Sequence, residues 1–210
     1  MKYSLEMAAD RLSAFDSLLS NYGIKYEANS IFYKSAYKVL EMLARNKKQM
    51  ECDPSEDVRP FIREVIGFND FIVKILNVAN LPGFKELVPH LKKITSGSVA
   101  QTRFVDVTDQ DADKLFELYM ACLVLPEFDN LALDDPDHSR GDNPDLIFDA
   151  YGKRWTIACK VLHADNTKSI YGNWEKGEDQ IRKCKSAHRG IVAISLRNIV
   201  AYDSLWPIIN

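Results

Sequence analysis

Two apolar runs, PDLIFDA (144–150) and RWTIACKVL (154–162), are separated only by Tyr151-Gly152-Lys153, and this limits what the chain can fold into more than any other feature. Both runs alternate and are rich in β-branched or aromatic residues, and a short break containing glycine joins such runs as a β-hairpin. With the turn at Gly152-Lys153, Asp145 lies directly opposite Lys160. Parity then puts Asp145, Ile147, Asp149, Arg154, Thr156, Ala158 and Lys160 on one face. Leu146, Phe148, Trp155, Ile157, Cys159 and Val161 share the other, which reads as an uninterrupted core face. A slip of one residue would drive Lys160 into that core, so burial fixes the parity of the pairing.

The elements around the hairpin follow from periodicity. Residues 3–20 and 30–50 carry apolar side chains at helical spacing, the second through Ile31, Tyr33, Ala36, Leu40 and Leu43. Pro54-Ser55 opens a third helix over about 55–79, Leu81-Pro82-Gly83 ends it, and a short helix covers 84–94. Thr95-Ser96-Gly97-Ser98 is small and polar and reads as a linker. Beyond it the pattern predicts a helix over 109–125, a short strand at 130–134, the hairpin, a polar loop through Asn166 and Asn173, a helix over 175–187 and a buried strand at 190–196. This divides the chain into a helical region, 1–98, and an α/β region, 99–210.

A chain of 210 residues can bury a core without disulfides. Its cysteines, Cys52, Cys122, Cys159 and Cys184, stand far apart and form no C-x-x-C pair, which speaks against zinc and dithiol chemistry. The segment MKYSLEMAAD lacks a basic stretch followed by an apolar one, and no apolar run is long enough to span a bilayer. Cytoplasmic residence with no membrane partner is the expectation. The net charge of −3 is unevenly spread: residues 1–98 carry 14 basic and 12 acidic side chains, whereas 99–210 carry 13 and 18. Between Glu127 and Asp145, seven carboxylates face one arginine, a cluster that repels phosphate unless cations bridge it.

An aspartate and a lysine converging at one end of a hairpin suit phosphodiester hydrolysis, in which a carboxylate holds a divalent metal and an ammonium orients water or offsets developing charge. Pro144-Asp145 followed fifteen positions later by the lysine of Ala158-Cys159-Lys160, in the order helix, strand, strand, strand, helix, strand, resembles the PD-(D/E)XK nuclease superfamily, which includes many restriction endonucleases and DNA-repair nucleases. The resemblance covers about residues 109–200 and implies a restriction-endonuclease-like core, a mixed central sheet flanked by helices, with Mg2+ or Mn2+ as cofactor and DNA as partner. It implies a catalytic role for Asp145 and Lys160. The family's usual acid is absent, because Ala158 stands in its place. Some branches supply that carboxylate from the following helix, where Glu178 is the candidate and Glu175 is more exposed to solvent. Many members also carry an acid on the first helix, here Glu117, so the expected metal ligands are Asp145, Glu117 and Glu178. Gln180, in Glu-Asp-Gln-Ile, resembles the helix glutamine of exonuclease-like members and joins the catalytic set.

Less dramatic readings stand beside these. A fold with a decayed site would be a nucleic-acid- or protein-binding module, and a structural Asp145–Lys160 salt bridge would make the chain an α/β adaptor. His138, His163 and His188 have no partner at a useful spacing and read as loop residues, with His163 a weak phosphate contact. Tyr22, Tyr26, Phe32, Tyr33 and Tyr37 could stack bases, but such spacing more often marks core. The near-neutral helical half is expected to supply DNA contacts or, preferably, dimerisation, since a two-fold homodimer suits cutting both strands of a palindrome.

Overall fold

The three long amphipathic stretches fold as helices α1 (Leu5–Asn21), α2 (Ile31–Lys47) and α3 (Arg59–Val78) in a computed structural model, which describes residues 5–47, 59–95, 110–137 and 143–200. Each buries one stripe at i, i+3 and i+4 spacing: Ala8, Leu12, Phe15 and Leu19 on α1, and Val65, Phe68, Ile72 and Ile75 on α3. On α2 the buried stripe is Phe32, Ala36 and Val39, and not the expected Ile31, Tyr33 and Leu40, which are exposed. The reason lies across the interface. Phe32 meets Phe15, Phe68 and Phe71 at ring-centroid distances of 6.0, 5.2 and 6.3 Å, and this aromatic cluster sets the rotation of the helix. Tyr22 and Tyr37 are exposed as well, so of the five aromatics expected as core only Phe32 is fully buried; Tyr26 is partly so and donates to Asp16.

The single short helix expected over 84–94 is two pieces, a 3-10 turn at Pro82–Leu87 and α4 at Val88–Ile94. The first opens with Pro82 and the second carries Pro89 in its first turn, where proline has no N–H to lose and disfavours continuation from the residues before it. Thr95, expected in a linker, is buried and donates to Lys92 O at the end of α4. The rest of the expected linker lies outside the described residues.

The second half runs α5 (Gln110–Val124), β1 (Asp129–Leu133), β2 (Leu146–Ala150), β3 (Lys153–Val161), α6 (Thr167–Lys183) and β4 (Arg189–Ser195). One four-stranded sheet has the order β1-β2-β3-β4, antiparallel except between β3 and β4, where α6 is the crossover that parallel pairing requires. The chain is therefore a mixed α/β protein with helices on both faces of a mixed sheet. Leu115, Leu118, Ala121 and Cys122 of α5 cover the face of Leu146, Phe148, Ile157 and Cys159. Across the sheet, Gly177 of α6 sits against Ala158 and Val192. Among the described residues, the core is one apolar cluster running from Ala8 to Cys159, so the helical region and the sheet share an interior.

The hairpin turns one residue earlier than expected. Tyr151 and Gly152 both have positive φ, 52° and 69°, as a two-residue turn of the hand that matches strand twist demands. Pairing then runs from Ala150–Lys153 to Leu146–Ile157. Continued, it would set Asp145 against Ala158 and not Lys160. The displacement is two residues, an even number, so every side chain keeps its expected face. Helix α6 likewise starts at Thr167 rather than near 175, because the Asn166 side chain accepts from Ser169 N–H and caps it. No helix among the described residues is long and apolar enough to cross a membrane.

Candidate functional site

Asp145 precedes β2 by one residue, at the end of the sheet where β3 also finishes. Its N–H donates to Ile157 O at 3.0 Å, and its Oδ2 accepts from the Cys159 N–H at 2.6 Å. The carboxylate thus leans along β3 past Ala158, which brings Lys160 Nζ to 3.8 Å from Oδ2 despite the displaced register. Both side chains are largely buried, 6% and 13% exposed.

Lys160 is oriented by two acceptors. Its ammonium donates to Cys159 O at 3.0 Å and to Gln180 Oε1. Gln180 in turn donates from Nε2 to Asn143 O at 2.9 Å, so one buried amide joins α6, β3 and the segment before β2. The close seating of α6 makes this possible. A Cβ on Gly177 would lie 3.5 Å from the Ala158 Cβ and 2.7 Å from Val192 Cγ1, so both positions are small where helix meets sheet.

From the other face, Glu117 of α5 enters the same cleft, which has a volume of about 410 Å³ and is lined also by Asp145, Lys160, Gln180 and His163. Glu117 accepts from Lys114 Nζ at 2.7 Å (Oε1) and 3.0 Å (Oε2), and its Oε2 lies 2.9 Å from His90 Nε2. Burial pushes its acidity toward the neutral form, but the hydrogen bonds and charges of His90 and Lys114 outweigh that and hold it below the usual carboxylate range. Asp145 goes the other way. Burial first, then the negative charge of Glu117, raise it to about 6, against the pull of Lys160 and the Cys159 N–H. Burial also raises the Cys159 thiol, so it packs as a neutral group and is no nucleophile.

Of the expected site residues, Asp145, Lys160, Gln180 and Glu117 come together. Glu178 does not join them: it is paired with Arg182 at 2.6 Å on the outer side of α6, one position from the sheet-facing Gly177. Glu175 is exposed, His188 accepts from Arg154 N–H at the other end of β3, and His138 lies outside the described residues. His163 lines the cleft, with Nδ1 3.1 Å from Asn198 Nδ2 and Nε2 3.7 Å from Asp113. Two participants escaped sequence reading. Lys114 carried a local signal, since it lies one helical turn before Glu117. His90 carried none, because its partner is 27 residues away on another helix.

Two carboxylates on one cleft are oxygen donors of the kind Mg2+ or Mn2+ takes, and Mg2+ commonly uses only one or two protein carboxylates, completing its shell with water and substrate. Asp145 and Glu117 are the residues that would hold such an ion. Among the described residues, no group of three or more acidic, histidine or cysteine side chains is placed to hold a metal ion, so any such ion would rest on this pair of carboxylates. No family model matches this chain, and neither does a curated protein or a solved structure.

Proposed function

We propose that the chain is a metal-dependent nuclease, an endonuclease hydrolysing DNA phosphodiester bonds, with Asp145, Glu117, Lys160 and Gln180 as its working groups. The observation that carries this reading is the meeting of Asp145 and Lys160 at 3.8 Å in a cleft at the strand ends, inside the element order characteristic of PD-(D/E)XK nucleases. Glu117 takes the place of the missing acid at position 158, in preference to Glu178. When bound, Mg2+ or Mn2+ supplies Lewis acidity toward the phosphate and makes a water easier to deprotonate.

The chain's own residues do the positioning. Gln180 and Cys159 O take two of the three ammonium hydrogens of Lys160 and leave the third to point at a non-bridging phosphate oxygen or at the attacking water. Negative charge that grows on the phosphate as water attacks and the P–O bond breaks is offset there by the fixed ammonium. Asp145 is ionised above about pH 6 and then binds cation or accepts a hydrogen bond from water.

The alternative, a nuclease fold that binds nucleic acid or protein without cutting, is favoured by one feature: Ala158 is fully buried beneath α6, so its position offers no ligand. Incubation of supercoiled plasmid with the full chain and Mg2+ or Mn2+ separates the two. Nicking that is lost in both Asp145→Asn and Lys160→Ala supports the enzyme, and an inert parent chain supports the binding module.

A further inference from the structure

Glu117 is not open to an incoming cation as it stands. Lys114 lays its ammonium across both carboxylate oxygens, at 2.7 and 3.0 Å, and is itself only 14% exposed. Its charge is also felt at Asp145. Lys160 is the second ammonium of the cleft, but it is anchored by Gln180 and Cys159 O on two different elements. Lys114 has hydrogen bonds to Glu117 alone among the described residues.

We propose that Lys114 is an internal counter-ion that fills the cation position beside Glu117, and that a divalent metal binds at Glu117 and Asp145 only by displacing it. This rests on the metal-dependent reading of the same cleft. At Glu117 and Asp145 themselves the two ammonium groups, Lys114 and Lys160, already offset the two carboxylates, while Asp113, a third acid on the lining, faces His163. A doubly charged ion added there without release of a lysine would leave two excess positive charges around these largely buried groups, where charges a few ångströms apart repel strongly. Of the two lysines, Lys114 is held by one residue, where Lys160 is held by two and also faces Asp145, and Lys114 sits on the first turns of α5, so it is the one that leaves. Metal binding is then weakened by the lysine it evicts, and the evicted ammonium stays at the rim of the cleft, facing incoming phosphate.

The test is titration of the full chain with Mn2+, followed by calorimetry and by the electron spin resonance of free Mn2+. Lys114→Met removes the competitor and should bind Mn2+ roughly tenfold more tightly than the parent, about the effect of one charge-assisted hydrogen bond no longer broken. Lys114→Arg keeps the charge and should bind no better than the parent. Adding Glu117→Gln to Lys114→Met should abolish the gain. Lys114→Gln, which keeps a donor without the charge, gives the same reading if the methionine variant folds poorly, and a larger Mn2+-induced rise in its unfolding midpoint than in the parent's would agree. Binding by the parent with no tighter binding by either neutral variant overturns the counter-ion role and spares the metal site. No Mn2+ binding by any of these proteins overturns both.

Discussion

Gly177 of α6 faces Ala158 of β3 so closely that a Cβ at position 177 would stand 3.5 Å from that of Ala158 and only 2.7 Å from Val192 Cγ1. An alanine at 177 gains about 1 kcal/mol of helix propensity over glycine. Overpacking a β-branched neighbour costs about 1–3 kcal/mol. Crowding wins, and Gly177→Ala should lower the urea midpoint with an unchanged slope. A stabilised variant would show that α6 does not need this close approach. Ala158→Glu, which supplies an acid at this position as PD-(D/E)XK nucleases do, should destabilise by several kcal/mol, because it puts an unpaired charge under the helix.

Gln180 holds Lys160 on one side and Asn143 O on the other, inside the fold. Gln180→Leu keeps most of the volume and leaves both partners unsatisfied, at a cost of about 1–3 kcal/mol. If the chain cuts DNA, kcat should fall roughly 10–100-fold, the scale of a misplaced catalytic group. Equal cleavage by a folded Gln180→Leu would remove the glutamine from the mechanism.

Asp145 has its pKa raised from 3.8 to about 6 in the fold, so the folded chain holds a proton that the unfolded chain gives up. Its contribution is fully present below about pH 4 and is lost as pH rises through 6. At about 1.4 kcal/mol per unit, the loss amounts to about 3 kcal/mol. Glu117 has the opposite sign: lowered in the fold, it stabilises above its ordinary value of 4.5 and loses that contribution on acidification. Asp145→Asn should therefore gain stability relative to the parent between pH 4.5 and 7.5. Denaturant midpoints whose difference stays flat across that window would refute the raised pKa.

His90 reaches Glu117 from a fully buried position on α4, tying the helical region to the site. His90→Leu leaves the buried carboxylate with Lys114 as its one remaining side-chain partner and should cost about 2–3 kcal/mol. His90→Gln can still donate and should cost less. Equal losses in the two variants, read by thermal unfolding, would mean that packing and not the hydrogen bond fixes His90.

A fragment of residues 99–210 should stay largely unfolded, because α5 lies between the sheet and the helical layer in one shared core. Far-ultraviolet circular dichroism of the isolated fragment would decide this. A cooperative unfolding transition would instead restore the two-part division that composition suggests.

Strand parity, the helical stretches and the approach of the Asp145 and Lys160 side chains at one sheet end are local or near-local properties and so are legible in the sequence, whereas their expected place directly opposite one another in the ladder is wrong by two residues. Alternation of period two assigns each hairpin side chain to a face, and even a turn misplaced by one residue moves the register by two and spares the assignment. Gln180 and Glu117 were legible for another reason, their place in an element order similar to a nuclease core. The rotation of α2 about Phe32 was not, since several stripes on that helix are equally apolar and only the phenylalanines of α1 and α3 select one. Nor could periodicity separate Glu178 from Glu117: both are glutamates on amphipathic helices, and which one faces Asp145 depends on how each helix is seated. The sheet-facing side of α6 is taken by Gly177 and Gln180, which turns Glu178 toward Arg182. His90, Lys114 and the balance of charge around Glu117 exist only once α4, α5 and the sheet are packed together, because burial makes each of these groups require the others.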